Sequence, residues 1–377
     1  MDRRKLMIQG VAALAVPSLP KGYVFGEKSL EISGAGSLRS HARHAHLLSG
    51  SAVRVDDLQS NSEYARLVSE QCDIVVAHNE MKWVALRPKR ETFDFHWGDL
   101  LVQFARKNKM RMRGHTLAWH ESVPEWIRED ENRKNARELF VNHITTVCRH
   151  FAGHIHSWDV VNEAILPKDG EPGGMRKSFW YENVGTDYID LAFRTAHSAD
   201  PKAKLTYNDY GVEYENAEDA ERRERVLELV QGMRQRGVPI HAVGIQSHIK
   251  AEKAGGFGKG LADYLASLQA LGLEVYLTEL DVNEDDIASN DVSIRDTEIA
   301  QVYADFLRVA LGNPAVKAVL TWDITDRFTW LNNGPTHKKK QPERPQRALP
   351  FDRDFKPKQA FFAMRDSFDA RHQKKTR

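Results

Sequence analysis

From residue 48 onward the chain alternates short apolar runs with amphipathic stretches. The runs lack the strict polar alternation of a half-exposed strand, as expected of parallel strands buried on both faces. They span 48–54, 73–79, 111–119, 155–163, 204–210, 241–249, 274–282 and 316–323, eight in all. Between them lie helical patterns. In "AERRERVLELVQGMRQRG" the residues Val226, Leu229, Val230 and Met233 recur at helical spacing, and Gly237 ends the pattern. A final helical stretch over 357–370 completes eight strand and helix pairs. That count predicts an α/β fold, a single (β/α)8 TIM barrel.

The pattern also sets the expected boundaries: 1–47 as export signal and leader, 48–371 as the catalytic barrel, and 372–377 as a basic tail. Residues 18–47 are rich in Ser, Gly and His and show no sustained period, so they read as a leader into the folded body. "HARHAH" offers His41, His44 and His46, but that spacing fits one helical face poorly and lacks an adjacent carboxylate. A solvated linker is the expectation there, not a metal tract. At the N-terminus the adjacent Arg3 and Arg4 precede a short apolar stretch and an "ALA" at Ala13–Ala15. This resembles a twin-arginine export signal and predicts a periplasmic or secreted protein. No run reaches the roughly 18 apolar residues of a membrane span.

Composition narrows the chemistry. A net charge of +1 gives no electrostatic reason to expect nucleic acid as partner. Cys72 and Cys148 fall in different elements without metal-ligand spacing and are expected to be buried thiols. Eight Trp and sixteen His supply flat apolar faces and neutral hydrogen-bonding groups suited to sugars or bases. No oligomeric contact is suggested, and a monomer is expected.

In such a barrel the active site lies at the C-terminal ends of the strands. Those ends carry Asn79, Glu80 and Lys82; His115, Trp119 and His120; Asn162 and Glu163; Asn208 and Tyr210; Gln246 and His248; Glu279 and Asp281; and Trp322 and Asp323. Ordinary turns would favour Gly, Ser and Asp over amides, imidazoles and indoles. The ring suits a hydroxyl-rich ligand. A GxxxxGK[ST] loop, a GxGxxG turn and a G-x-S-x-G elbow are all missing, so no phosphate cradle, dinucleotide fingerprint or serine nucleophile is indicated. Amides and indoles are poor zinc ligands, so no metal and no cofactor are expected. Two carboxylates remain, Glu163 after the fourth run and Glu279 in the seventh. Either alone could be a cap or rim charge; facing each other across one mouth, they suit glycosidic cleavage.

"NEMKW", "GHTLAWH", "WDVVNEA", "YNDYG", "GIQSHI", "YLTELDV" and the pair Trp322 and Trp330 together resemble glycoside hydrolase family 10, best known for endo-β-1,4-xylanases. The resemblance runs from about Leu48 to about Asp369 with every motif in family order. It implies Glu163 as acid/base and Glu279 as nucleophile of a retaining reaction, with carboxyls about 5–5.5 Å apart. It further implies Asn162 on the 2-hydroxyl of the cleaved sugar, His248 orienting the nucleophile with Asp281 behind it, and Gln246 near the acid/base. Asn79, Lys82 and His115 match glycone-side donors, Trp119, Trp322 and Trp330 the cleft indoles, and Tyr210 an aglycone-side aromatic. Glu80, which points away from Asn79 if the strand pleat continues, is expected to be structural, and Trp83 is given no role. The implied substrate is xylan or xylo-oligosaccharides. Another β-glycan, or a carbohydrate-binding barrel without turnover, stays as the alternative.

The chain departs from the family pattern at four places. His78 stands where the family usually has Glu, Gly211 where Asn is frequent, Asp323 where Gly is common and Thr329 where Ser is common. His78 is expected to weaken glycone binding and to carry a pH-dependent charge. The basic run "HKKKQPERPQR" after the eighth strand is expected to be a solvated rim, with contact to acidic side groups of the polymer as the functional alternative.

Overall fold

The computed structural model describes residues 31–251, 256–333 and 343–375. The strands are β1 (Leu48–Val53), β2 (Ile74–Ala77), β3 (Arg111–Trp119), β4 (Ser157–Asn162), β5 (Lys204–Asp209), β6 (Ala242–Ile245), β7 (His248–Lys250), β8 (Glu274–Asn283) and β9 (Val316–Thr321). Sheet order runs β6-β5-β4-β3-β2-β1-β9-β8-β7, and β6 also pairs with β8. All pairings are parallel, so eight strands close into a barrel and β7 is a short annex on β8. Every predicted run overlaps an observed strand. The sixth run, 241–249, is split because Ser247 takes a left-handed backbone, φ 65°, ending β6 and redirecting the chain toward Asp281.

Alternation along each strand decides what enters the barrel. Ile74, Val76, Ala52, Ala242, Tyr276, Ala318, Leu320 and Trp322 form one buried cluster, separate from the large core between strands and helices. Arg113 joins it with its guanidinium over the Tyr276 ring at 5.2 Å, paired with Asp159 and donating to Ser157 Oγ at 2.9 Å. Asp159 Oδ2 in turn lies 3.0 Å from His115 Nδ1. A buried charge pair thus anchors the first mouth residue. Gly244 makes room for the next layer: a Cβ there would meet Asn208 Oδ1 at 2.0 Å.

The helix Ala217–Gln235 buries Val226, Val230 and Met233 as the pattern predicts, while Leu229 is only partly covered. Asp219, Arg222 and Arg223 take the remaining buried positions, Asp219 accepting from Tyr214 N and the arginines donating to the loop carbonyls of Ile165, Val212 and Tyr214. Cys72 and Cys148 are free and buried, as expected. Among the described residues no helix is long and apolar enough to cross a membrane.

Two boundary expectations are corrected. Residues 38–44, read as a linker, form a helix capped by Ser37, whose side chain accepts from Ser40 N. Its Leu38 and Ala42 are buried, His41 Nδ1 lies 2.6 Å from Asp369 Oδ1 of the last helix, and Arg39 and Arg43 both pair with Asp73. Seven residues are too few for a clear periodic signal, and the apolar face is only Leu and Ala, so tertiary contacts supply the stability. The last helix, Gln359–Lys375, continues through most of the expected tail. The export-signal reading of Arg3 and Arg4 falls on residues outside those described.

If the 38–44 helix belongs to the fold, Leu38→Ala should cost about 2–3 kcal/mol of unfolding free energy. Urea titration followed by circular dichroism checks this; a loss under about 0.5 kcal/mol would restore the linker reading.

Candidate active site

A cleft of about 880 Å³ opens at the C-terminal ends of the strands. Asn79, Lys82, His115, Trp119, Asn162, Glu163, Tyr210, Gln246, His248, Glu279, Trp322 and Trp330 all line it. Asp281 stands directly behind His248. The strand-end positions singled out for binding or chemistry are therefore brought to one place.

Glu163 follows β4 with a left-handed backbone, φ 58°, its N–H donating to Asn208 O at 2.9 Å. A non-glycine residue held this way is strained, and here the turn lifts its side chain into the cleft. Oε1 accepts from Gln246 Nε2 at 2.9 Å and from Asn162 Nδ2 at 3.2 Å. Oε2 lies 3.6 Å from His120 Nδ1 and 4.0 Å from Arg176 Nη2. Arg176 also grips the Glu163 carbonyl through Nε at 2.6 Å and donates to Tyr210 OH at 3.0 Å. It fixes backbone and neighbouring ring together.

Glu279 is buried deeper. Asn208 Nδ2 donates to its Oε1 at 2.8 Å, and His248 Nε2 lies 3.2 Å from its Oε2. The same Asn208 Nδ2 donates to Asn162 Oδ1 at 2.8 Å, so one amide ties the two carboxylate sides together. Asn208 itself is held by Thr278 Oγ1 donating to its Oδ1 at 2.8 Å. His248 Nδ1 sits 3.0 Å from Asp281 Oδ1, and Trp330 Nε1 donates to Asp281 Oδ2 at 2.7 Å. Burial disfavours a charged imidazole, but Asp281 and then Glu279 outweigh it and hold the His248 pKa well above its ordinary value. Burial likewise opposes ionisation of Glu279, yet the His248 hydrogen bond, the nearby His115 and the Asn208 amide bring its pKa below the usual glutamate value. The pair is an imidazolium and a carboxylate at neutral pH.

On the opposite arc, Lys82 Nζ donates to Asn79 Oδ1 at 3.0 Å and lies 5.1 Å from the Trp119 ring centre. Trp322 lines the floor, its ring 5.2 Å from His115 and 4.9 Å from His78. Glu80 turns away, accepting from Val55 N and Asn79 N, and Trp83 stacks on His143 at 3.6 Å. Both are structural, as expected for Glu80.

The pH-dependent charge expected at His78 is corrected. Burial, then Arg54 and Lys82, push its pKa well below the ordinary imidazole value, so the ring is neutral. Gly211 has φ 70°, and a Cβ would meet Arg222 Nε at 3.0 Å beneath the Tyr210 ring, which accounts for glycine there. Thr329 is buried and accepts from Leu331 N. Of the basic run, Arg344 donates to the carbonyls of Ile287, Ser289 and Glu284, and Arg347 pairs with Asp296. These two arginines are structural and do not form a solvated rim; residues 334–342 lie outside those described.

The model of glycosyl hydrolase family 10 matches residues 37–367. The chain belongs to that family. It is therefore a glycoside hydrolase. Endo-1,4-beta-xylanase B of Thermotoga neapolitana is 34% identical over 82% of this chain and 84% of its own length. Beta-1,4-xylanase of Dictyoglomus thermophilum is 35% identical over 79% and 83%. The crystal structure of native xylanase 10B from Thermotoga maritima superposes with a TM-score of 0.79 at 32% identity, covering 90% of this chain and 99% of that one. Xylanase 10B from Thermotoga petrophila, solved in complex with xylobiose, gives 0.78 at 32%, covering 89% and 98%.

Within this family 10 cleft, sequence reasoning had assigned no role to Asn208, Arg176, Arg54 or His120. Asn208 and His120 stood at strand ends already marked, but nothing in one chain says which amide bridges two carboxylates. Arg176 and Arg54 sit in loops with no periodic signal, so only the contacts reveal them.

Asn208→Ala removes the bridging amide and should lower kcat by about 10²-fold or more. Steady-state kinetics beside a thermal melt would check this; a folded variant with unchanged kcat would show the bridge to be inert. His248→Asn takes away the cation that lowers the Glu279 pKa, so the acidic limb of the kcat/KM profile should move to higher pH. An unmoved limb would mean that His248 does not set that ionisation.

Proposed function

We propose that the chain is a retaining endo-1,4-β-xylanase that cleaves the xylan backbone by double displacement, with Glu279 as nucleophile and Glu163 as acid/base. The observation that carries this reading is the asymmetry of two bridged carboxylates. Glu279 is clamped by the His248 cation and the Asn208 amide, whereas Oε1 of Glu163 takes only neutral amides from Gln246 and Asn162. A buried, low-pKa carboxylate suits attack at the anomeric carbon, and the second carboxyl, lining the same cleft with its Oε1 on two neutral amides and Arg176 4.0 Å from its Oε2, is placed to exchange a proton with the departing oxygen.

In the first step a Glu279 oxygen bonds to the anomeric carbon as the glycosidic C–O bond breaks, and the Glu163 proton goes to the departing oxygen. In the second, water attacks the same carbon, gives its proton to Glu163, and the ester to Glu279 breaks. Asn162 keeps one Nδ2 hydrogen beyond its bond to Glu163, available to the 2-hydroxyl of the reacting sugar. Trp119, Trp322 and Trp330 offer faces for stacking, while Asn79, Lys82 and His115 supply polar groups on the glycone side and Tyr210 an aromatic on the other.

Xylan as substrate is supported by the xylanase names of the relatives and by the xylobiose bound in the Thermotoga petrophila structure. A polymer too large to enter a cell also fits the export reading of Arg3 and Arg4. Reducing-end release from xylan, carboxymethylcellulose and mannan tests the substrate; xylan should be preferred, and equal or greater release from either other polymer overturns that part. Glu279→Ala should reduce turnover by about 10³-fold or more, and proton NMR of the first product should show the β-anomer. Undiminished activity or an initial α-anomer would sink the mechanism.

A further inference from the structure

Glu163 leaves β4 with its two carboxyl oxygens treated differently. Oε1 accepts from two amides, whereas Oε2 has His120 Nδ1 at 3.6 Å and Arg176 Nη2 at 4.0 Å, both beyond hydrogen-bonding reach. Oε2 is therefore the oxygen free to carry a proton. At neutral pH His120 brings no charge to it, because burial and then Arg176 push that imidazole's pKa down to about 4. Arg176 stays cationic at any working pH.

A second carboxyl lies behind the same turn. Asp209 ends β5, is 2% exposed and has donors on both oxygens: Tyr210 N stands 2.9 Å from Oδ1 and Ile165 N 3.3 Å from Oδ2, which the Tyr207 hydroxyl also bonds. Ile165 follows Glu163 closely in the chain, so this carboxyl holds the turn that lifts Glu163 into the cleft. The Asp209 carbonyl also accepts from Gln246 N at 2.9 Å, and Gln246 supplies an amide to Glu163 Oε1. Arg222 stands 3.7 Å from Asp209 Oδ1 and donates to the Ile165 carbonyl. Around the rest of Asp209 lie Tyr188 and Tyr264, phenols that burial keeps protonated. Burial pushes the Asp209 pKa up to about 7 against the pull of Arg222, and the charge of Glu163 adds to the rise. That coupling is mutual: once ionised, Asp209 opposes loss of a proton from Glu163.

Arg176 and Asp209 thus bear on one group with opposite signs. Lys82 and the His248–Glu279 pair also line the cleft, and Glu121 and Asp169 lie beyond His120. Arg176 and Asp209 differ from these in bonding the turn that carries Glu163. An acid/base must hold its proton in the first step and be ionised in the second, so a neighbour of one sign alone would favour one step at the expense of the other.

We propose that Arg176 and Asp209 are an opposed pair of positioning residues: the cation favours the ionised form of Glu163, the buried carboxylate favours the protonated form, and their balance sets the alkaline limit of proton delivery. The proposal rests on the reading of Glu163 as acid/base.

The test measures kcat/KM for xylotetraose against pH with the full chain, Arg176→Gln, Arg176→Lys and Asp209→Asn, each checked for folding by circular dichroism. The alkaline limb should move up by about half a pH unit or more in Arg176→Gln, move down by a similar step in Asp209→Asn, and stay in place in Arg176→Lys, where the charge is kept. A residue that only propped the turn would slow the enzyme without moving the limb in a direction set by its charge. Limbs that stay still or move together overturn the proposal. Tyr207→Phe removes a donor from Asp209, so that its charge appears at higher pH; the limb should shift as in Asp209→Asn but less, which supplies the result if Asp209→Asn does not fold. On the unmodified enzyme, carbon NMR of carboxyl-labelled protein should show Glu163 and Asp209 each sensing the other's titration, and independent titrations overturn the coupling. Glu163→Ala separates the two readings: kcat/KM should fall by about 10²-fold or more on xylotetraose and little on dinitrophenyl β-xylobioside, whose leaving group needs no proton. An equal fall on both overturns the acid/base reading and this proposal with it.

Discussion

Pairing of β6 with β8 closes the sheet, and every feature of the cleft depends on that closure. An open parallel sheet would leave Glu163 and Glu279 on strands with no obligation to meet. Closure puts the ends of β4, β5, β6 and β8 side by side, so that a chain of amides, Gln246, Asn162 and Asn208, spans the gap between the two carboxylates. The interior must also be filled, and its filling is graded. Apolar residues fill one buried cluster, the Arg113–Asp159 pair lies against it over the Tyr276 ring, and His115 at the mouth is seated on Asp159.

The two carboxylates have the same chemistry and different surroundings. Glu279 sits in a line of alternating charge, Asp281, His248 and itself, in which each group favours the ionised form of the next. Without Asp281 the buried imidazole would lose its proton, and without the imidazolium the buried carboxylate would tend to gain one. Glu163 is handled by two neutral amides on Oε1, by Arg176 on its carbonyl and beyond its Oε2, and by a backbone twist that aims it into the cleft. Geometry and protonation are thus set by separate groups, which allows the same fold to place a donor and a nucleophile within one cleft. On the far arc, burial and then the neighbouring Arg54 cation hold the His78 imidazole neutral, the opposite outcome to His248.

The fold was legible in the sequence because a parallel strand buried on both faces must be apolar throughout, and eight such runs separated by helical patterns leave few architectures. Edges were less so. The helix over 38–44 shows no amphipathic signal of its own, since its stability comes from Gln71, Asp73 and Asp369, distant in sequence. The sixth run hid a break at Ser247 because left-handed backbone there is imposed by the neighbours of β8 and not by residue type. Arg344 and Arg347 looked like rim charges because their carbonyl and carboxylate partners lie some fifty residues away in sequence.

By itself the sequence determined which residue types stand at the strand ends, and hence that Glu163, Glu279 and a ring of amides, imidazoles and indoles share one mouth. The count of eight strand and helix pairs, which predicts a closed barrel, and the common direction of parallel strands suffice for that. What only the tertiary structure decided is how those groups are bonded: that Asn208 joins Glu279 to Asn162 and through it to Glu163, that His248 is charged while His78 is neutral, and that Arg54 joins His78 to Asp323. Hydrogen bonding and charge depend on distances of a few ångströms between strands far apart in the chain, and those distances exist only once the barrel has closed.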